Sequence, residues 1–140
     1  MAEALLRHAL PAGSPWQVSS AGTCAFDGEP ASGEAIDVLA EKGIPLDDHH
    51  SRLLTAARVG EARVIVALAR SHRDEILDRF PEAAGKVFLL KSFSTQREEN
   101  PDVPDPIGGT LSVYRRCRDT LLSAMPGLVE FLESHRHPLL

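Results

Sequence analysis

Cysteine, aromatic residues and positive charge are all scarce in this chain of 140 residues. Two cysteines, Cys24 and Cys117, are too few for a disulfide framework, and a reducing, cytoplasmic compartment is expected. Only one Trp and one Tyr occur. Lys and Arg total 15 against 20 Asp and Glu, a formal net charge of -5. This excludes a strongly basic chain, so no nucleic acid and no membrane surface is expected as partner. The longest apolar run, residues 64–69, is far short of the roughly 20 residues that span a bilayer. Residues 1–8 include Glu3 and lack a basic stretch followed by an apolar one, so no signal peptide is expected there. What remains is ordinary globular composition, 43% hydrophobic and 25% charged, in a length that fits one domain.

The pattern along the chain alternates between strands and helices. Residues 2–10 are rich in helix formers but have no capping residue in front. Residues 17–22 fit a short strand stopped by Gly22. Ser32 caps a helix that runs to Lys42 and stops at Gly43, and Thr55 caps a short one to Val59. Residues 63–69 and 86–90 read as buried strands, because unbroken apolar runs suit a parallel sheet. Between them, Ser71 caps a helix ending at Phe80 before Pro81. Residues 91–110 are polar and rich in Pro and Gly, a connection of about twenty residues that is longer than structure alone requires. A last helix spans 111–134, with Pro126 expected to kink or divide it. Such alternation implies an α/β fold of three layers, a parallel sheet with helices on both faces. Three visible strands are few for a sheet buried on both faces.

Chemistry has few places to sit. A phosphate-handling thiolate needs a cradle of backbone N–H groups at a helix N-terminus and a nearby Arg, which in compact form reads C-x5-R. Six residues after Cys24 stands Pro30, and six after Cys117 stands Ser123, so neither fits. Cys117 reads as a small buried apolar group on a helix. In Asp102-Val103-Pro104-Asp105-Pro106-Ile107-Gly108-Gly109, Asp105 has two readings: turn chemistry beside a helix cap, or a general acid held over a cleft. His49 and His50 point apart as neighbours and do not form a metal pair, and no Cys, His or Asp set has ligand spacing. His72 reads as a hydrogen-bonding partner, and His135 and His137 as part of a frayed tail. Arg115, Arg116 and Arg118 read as a solvated helix face. Phe26 is either a minor core residue or the wall of a pocket.

Taken in order, these pieces resemble the low-molecular-weight protein-tyrosine phosphatases, including the bacterial protein-arginine phosphatase branch. The resemblance rests on Ser20-Ala21-Gly22-Thr23, on Gly28-Glu29-Pro30-Ala31, and on Gly43-Ile44-Pro45-Leu46 followed by Asp48-His49, Ser51-Arg52 and Leu54-Thr55. It continues through Val66-Ala67-Leu68-Ala69 with His72, and Asp105-Pro106-Ile107-Gly108-Gly109 with Tyr114 and Arg118-Asp119. It implies a flavodoxin-like sheet, no cofactor, and hydrolysis of phosphorylated side chains through a phosphocysteine. It makes Asp105 the general acid and then the base, and it places Phe26 and Ile107 at the substrate. Ile107 stands where an aromatic residue is usual, which weakens the case for phosphotyrosine.

The same resemblance sets the family's opening strand and C-x5-R-S-P loop immediately before Met1-Ala2-Glu3-Ala4. Residues 1–140 are therefore expected to be one phosphatase-like domain, truncated at its N-terminus and lacking its central strand, nucleophile and phosphate cradle. A gap of about 9–10 Å, two strand spacings, is expected between that strand's neighbours. Two outcomes follow from this: a working phosphatase once the front is restored, or a nucleophile-less binding module. The expected partners are a phosphorylated protein or small phosphate ester, and a second copy joined through the open sheet gap. An arsenate reductase of the same fold would need further redox cysteines, and none lies between Cys24 and Cys117.

Overall fold

The computed structural model describes residues 1–96 and 98–136. Its elements in order are α1 (Ala2–Ala9), α2 (Gly33–Ala40), α3 (Ala56–Glu61), β1 (Ile65–Ala67), α4 (Arg70–Arg79), a 3-10 turn at Pro81–Ala83, β2 (Val87–Leu89), a second at Leu90–Phe93, and α5 (Leu111–Ser134). The alternation read from the sequence is present, and the fold is α/β with a parallel sheet.

Strand β1 pairs in parallel with β2, with Ile65 opposite Val87 and Ala67 opposite Leu89. Successive residues of a strand point to opposite faces, and both faces here are covered. Val64, Val66 and Leu68 pack on a core built from Leu5, Val38, Leu39, Leu121 and Leu128 of α1, α2 and α5. Ile65 and Ala67 pack on a second core with Val59, Ile76 and Phe80 of α3 and α4. Behind β2, Phe88 meets Phe131 of α5 edge-on, with ring centroids 5.1 Å apart. These two apolar layers are why the apolar run at 64–69 is unbroken.

The caps follow local chemistry. The Ser32, Thr55 and Thr110 side chains accept from the backbone N–H three residues on, starting α2, α3 and α5. Gly43 takes φ +72° past the end of α2, and the Ile44 N–H returns to the Leu39 carbonyl. Helix α1 has no side-chain cap. One expectation fails here. Ser71 does not cap α4, which starts one residue earlier; a carboxylate oxygen of Asp102, from the long connection, accepts from the Arg70 N–H instead. Of the two outcomes expected at Pro126, division does not occur: α5 runs through it and is held by buried Leu121, Ala124, Met125 and Leu128.

Residues 17–22 also depart from expectation, forming no strand in the sheet. Among the described residues their only backbone pairing is at Gly22, which bridges to the segment around Leu53 through Gly22 N–H to Arg52 O and Leu54 N–H to Gly22 O, both 2.9 Å. Between this segment and β1 lies a groove of about 760 Å³, in the place where a missing central strand was expected.

Candidate functional site

In open α/β sheets, ligands bind beyond the carboxyl ends of the strands. Here the long connection is fastened at that end of β1, where the buried Val103 donates its N–H to the Leu68 carbonyl at 2.8 Å. Next to it, Asp102 takes hydrogen bonds from the Arg70 backbone N–H and from its guanidinium, at 2.8 and 3.2 Å. The guanidinium contact, ahead of the backbone one, holds this carboxyl below its ordinary range.

Asp105 follows on a turn of defined geometry. Its Oδ1 accepts the Ile107 N–H at 3.0 Å, and the Gly109 N–H closes on the Pro106 carbonyl at 2.8 Å. Gly108 takes φ +77°. At Gly109 an added Cβ would stand 2.8 Å from the Pro106 oxygen and from a Val113 methyl. Thr110 then caps α5. The turn is thus clamped between Val103 and α5, with the Asp105 carboxyl exposed. Ile107 shares this turn and is 80% exposed.

Phe26 lies on a separate loop and is 81% exposed, so it is not a core residue. Its carbonyl accepts from the Ser51 hydroxyl, Asp27 accepts the Leu53 N–H at 2.7 Å, and the Gly28 N–H reaches the Ser51 carbonyl at 2.9 Å. Large apolar side chains held outward on braced loops are available to a ligand.

A cluster that sequence reasoning did not assemble ties these loops to α1. Glu3, with its side chain 8% exposed, contacts His49 Nδ1 at 3.2 Å, Arg52 at 3.6 Å and Arg7 at 3.7 Å. The signal was present: His49 and Arg52 belong to a recognised pattern, and Glu3 is the acid in the first turn of α1. Nothing in the sequence paired them across 46 residues. His50 turns elsewhere, to the Asp48 carbonyl at 3.1 Å. His72 is exposed and has no hydrogen-bond partner among the described residues, contrary to its reading as a bonding partner.

Neither cysteine is placed to act as a nucleophile. Cys117 is buried on α5, and burial pushes its thiol above the ordinary range, away from thiolate. The Met1 ammonium opposes that shift and the Asp105 carboxylate adds to it. Cys24 is exposed on a turn, outside any helix.

Of the arginines of α5, Arg115 and Arg116 are exposed as expected, and Arg118 is a correction. Arg118 is 6% exposed, not solvated, and donates to the Val38 carbonyl and to Glu41 at 2.9 and 2.6 Å. Arg115 grips the same Glu41 at 2.8–3.1 Å. Hydrogen bonds from Arg115, then Arg118, hold the Glu41 carboxyl down to about 2. The pair fastens α2 to α5. His135 is not frayed either, since its ring lies 4.3 Å from that of Phe131; His137 lies outside the described residues. Among the described residues, no group of three or more His, Cys, Asp or Glu stands close enough to hold a metal. No helix is long and apolar enough to cross a membrane.

Comparison with known proteins bears on the family and the fold. A family model described as low molecular weight phosphotyrosine protein phosphatase matches residues 1–137. A protein-arginine-phosphatase of Geobacillus stearothermophilus is 39% identical over 97% of this chain and 88% of its own. A probable low molecular weight protein-tyrosine-phosphatase, EpsP, of Ralstonia nicotianae is 34% identical over 86% of this chain and 78% of its own. The solved YwlE arginine phosphatase from G. stearothermophilus superposes with a TM-score of 0.85 at 37% identity, covering 99% of this chain and 89% of that one. A low molecular weight protein tyrosine phosphatase from T. tengcongensis gives 0.84 at 34% identity, covering 94% and 88%. The chain belongs to the low molecular weight phosphotyrosine protein phosphatase family.

Proposed function

We propose that these 140 residues are the acid-bearing body of a phosphatase that dephosphorylates protein side chains through a phosphocysteine. Asp105 is its general acid and base, and Phe26 and Ile107 are the substrate walls. The observation that carries this reading is the Asp105 turn, clamped by Val103 and by the Thr110 cap so that an exposed carboxyl is presented at the carboxyl end of β1.

The chemistry assigns the parts. A thiolate attacks phosphorus and the bond from phosphorus to the leaving oxygen or nitrogen breaks. Asp105 gives its proton to that leaving atom. Water then attacks the phosphocysteine, the Asp105 carboxylate takes the water proton, and the S–P bond breaks to release phosphate and thiolate. The sequence holds no C-x5-R, so the thiolate and the phosphate cradle come from residues outside these 140.

Between the two substrate classes named for its relatives, phosphoarginine is favoured. The wall beside the acid is the aliphatic Ile107, which offers no aromatic face for a phosphotyrosine ring to stack on. Relatives named arginine phosphatases align over 97% of the chain. The second reading, a nucleophile-less binding module acting in the reducing cytoplasm, is favoured by the absence of a reactive thiolate alone.

One assay decides between them. The 140-residue chain, its mass verified, is expected to leave p-nitrophenyl phosphate intact. The chain extended by a strand and a C-x5-R loop is expected to hydrolyse it, and to prefer phosphoarginine to phosphotyrosine protein. Robust turnover by the short chain overturns the proposal, and silence of the extended chain favours the binding module.

A further inference from the structure

The Asp105 turn hangs on very little. From Ser94 to Gly109, the long connection is tied to the rest of the fold, among the described residues, by hydrogen bonds to Lys91, Arg70 and Leu68. Lys91 holds the first half, at Glu98 and Asn100. The other two hold adjacent residues: Arg70 takes Asp102, and the Leu68 carbonyl takes the Val103 N–H. These stand three and two positions before Asp105.

The Asp102 bond is more than a helix cap. Capping α4 needs one contact, from the Arg70 N–H to Oδ1 at 2.8 Å. A carboxylate held by one bond still rotates about it. The Arg70 guanidinium removes that freedom, with Nε donating to Oδ1 and Nη2 to Oδ2, both at 3.2 Å. A planar fork on a planar carboxylate fixes the orientation of both.

The segment that follows carries the orientation forward. In Val103-Pro104-Asp105-Pro106, each proline locks its own φ and confines the residue before it to extended backbone. From Asp102 to Asp105 such a chain spans up to about 10 Å. A tilt of about 6° at its base therefore moves the Asp105 backbone by about 1 Å, enough to cost a catalytic group up to about a hundredfold.

We infer that Arg70 is a positioning residue: its fork on Asp102 sets where the Asp105 carboxyl stands, and so how fully the leaving atom is protonated. The hold of Arg70 on the connection follows from the hydrogen bonds. Its effect on turnover rests on the reading of Asp105 as the acid.

The test has a part for each. In the 140-residue chain, Arg70→Met keeps the apolar stem and removes the fork. Amide exchange at Val103 is expected to quicken about tenfold, with exchange at Ile65 in the sheet unchanged. Unchanged exchange at Val103 shows no hold, and equal acceleration at Ile65 shows a general loss of stability; either overturns the inference. In the extended, active chain, the same variant is expected to lower kcat/KM about tenfold for phenyl phosphate, whose leaving oxygen needs the proton. For dinitrophenyl phosphate, whose leaving oxygen does not, the loss is expected to stay below about twofold. A merely structural role moves both substrates together, so equal losses, or none, overturn the positioning role. Asp102→Asn keeps an acceptor for the Arg70 N–H and gives up the charged fork. It is expected to match Arg70→Met, and the double variant to lose no more than either; losses that multiply overturn the pairing. Asp105→Asn in the same chain separates the two readings. If it leaves the phenyl phosphate rate unchanged, Asp105 is not the acid and that reading falls, while exchange at Val103 still decides the hold of Arg70.

Discussion

Two segments of this molecule invert what their residues lead one to expect. Residues 17–22 have the composition of a strand and, apart from the bridge at Gly22, make no strand pairing among the described residues. Residues 101–110 have the composition of an irregular loop and are fixed at Val103, Asp102, Gly109 and Thr110 by named hydrogen bonds. The difference is one of partners. A strand's backbone groups are satisfied only by an adjacent strand, whereas a turn of Asp, Pro and Gly satisfies most of its own and needs two outside anchors. Order is therefore greatest where local chemistry and a few tertiary bonds agree, and least where everything depends on a neighbour.

The sharpest way to break this contrast is at Asp105. In the extended, active chain, Asp105→Asn is expected to lower turnover about 10²–10⁴-fold, with the loss confined to the protonation step. It is measured by kcat on aryl phosphates of rising leaving-group pKa, and unchanged kcat removes Asp105 as the acid. Next comes the packing that holds α5 in register behind the sheet. At Gly127 an added Cβ would lie 2.0 Å from the Phe93 carbonyl. Gly127→Ala is therefore expected to cost about 1–3 kcal/mol or more by overpacking, read as a lower denaturation midpoint in urea.

Smaller effects sharpen the comparison within each segment. Gly109→Ala forces the Asp105 turn away from Val113, and a loss of about 1–3 kcal/mol is expected together with a lower kcat in the extended chain. A variant that loses stability and keeps kcat would show that the turn positions nothing. Amide exchange is expected to be fast through residues 16–21 and slow at Ile65, whose N–H donates to Lys86 O at 2.8 Å. Equal protection would show that the groove wall has a partner in solution. The smallest effect is electrostatic and lies far from the groove. The Glu41 carboxyl falls from an ordinary 4.5 to about 2 in the folded chain. A depressed folded value means its stabilisation is complete above pH 4.5 and is lost as pH falls toward 2. Glu41→Gln is expected to flatten the dependence of Tm on pH within that window and to leave the dependence at neutral pH unchanged.

Much of the fold was legible. Ser32, Thr55 and Thr110 announce helix starts, Gly43 a stop, and the unbroken run at 63–69 a strand with two covered faces. Local rules governed each of these. The clearest misses were contacts distant in sequence. Asp102 replaces Ser71 as the partner of α4, 32 residues away. Arg118 is buried because Glu41 and the Val38 carbonyl, 77 and 80 residues away, receive its charge. The candidate site divides in the same way. The Asp, Pro and Gly around Asp105 left it as either turn chemistry or an acid; the resemblance alone preferred the acid and named Ile107, and the apolar Phe26 could be either core or wall until the fold placed it outside.

By itself the sequence determined the helices, the Ser32, Thr55 and Thr110 caps, the two buried strands of a parallel α/β fold and the turn that carries Asp105, because each depends on residues within a few positions of one another. The tertiary structure alone decided that Glu3, His49 and Arg52 form one cluster, that Arg118 is buried, and that residues 17–21 join no strand. Burial and strand pairing are properties of what a segment meets across the fold, and no local pattern encodes that.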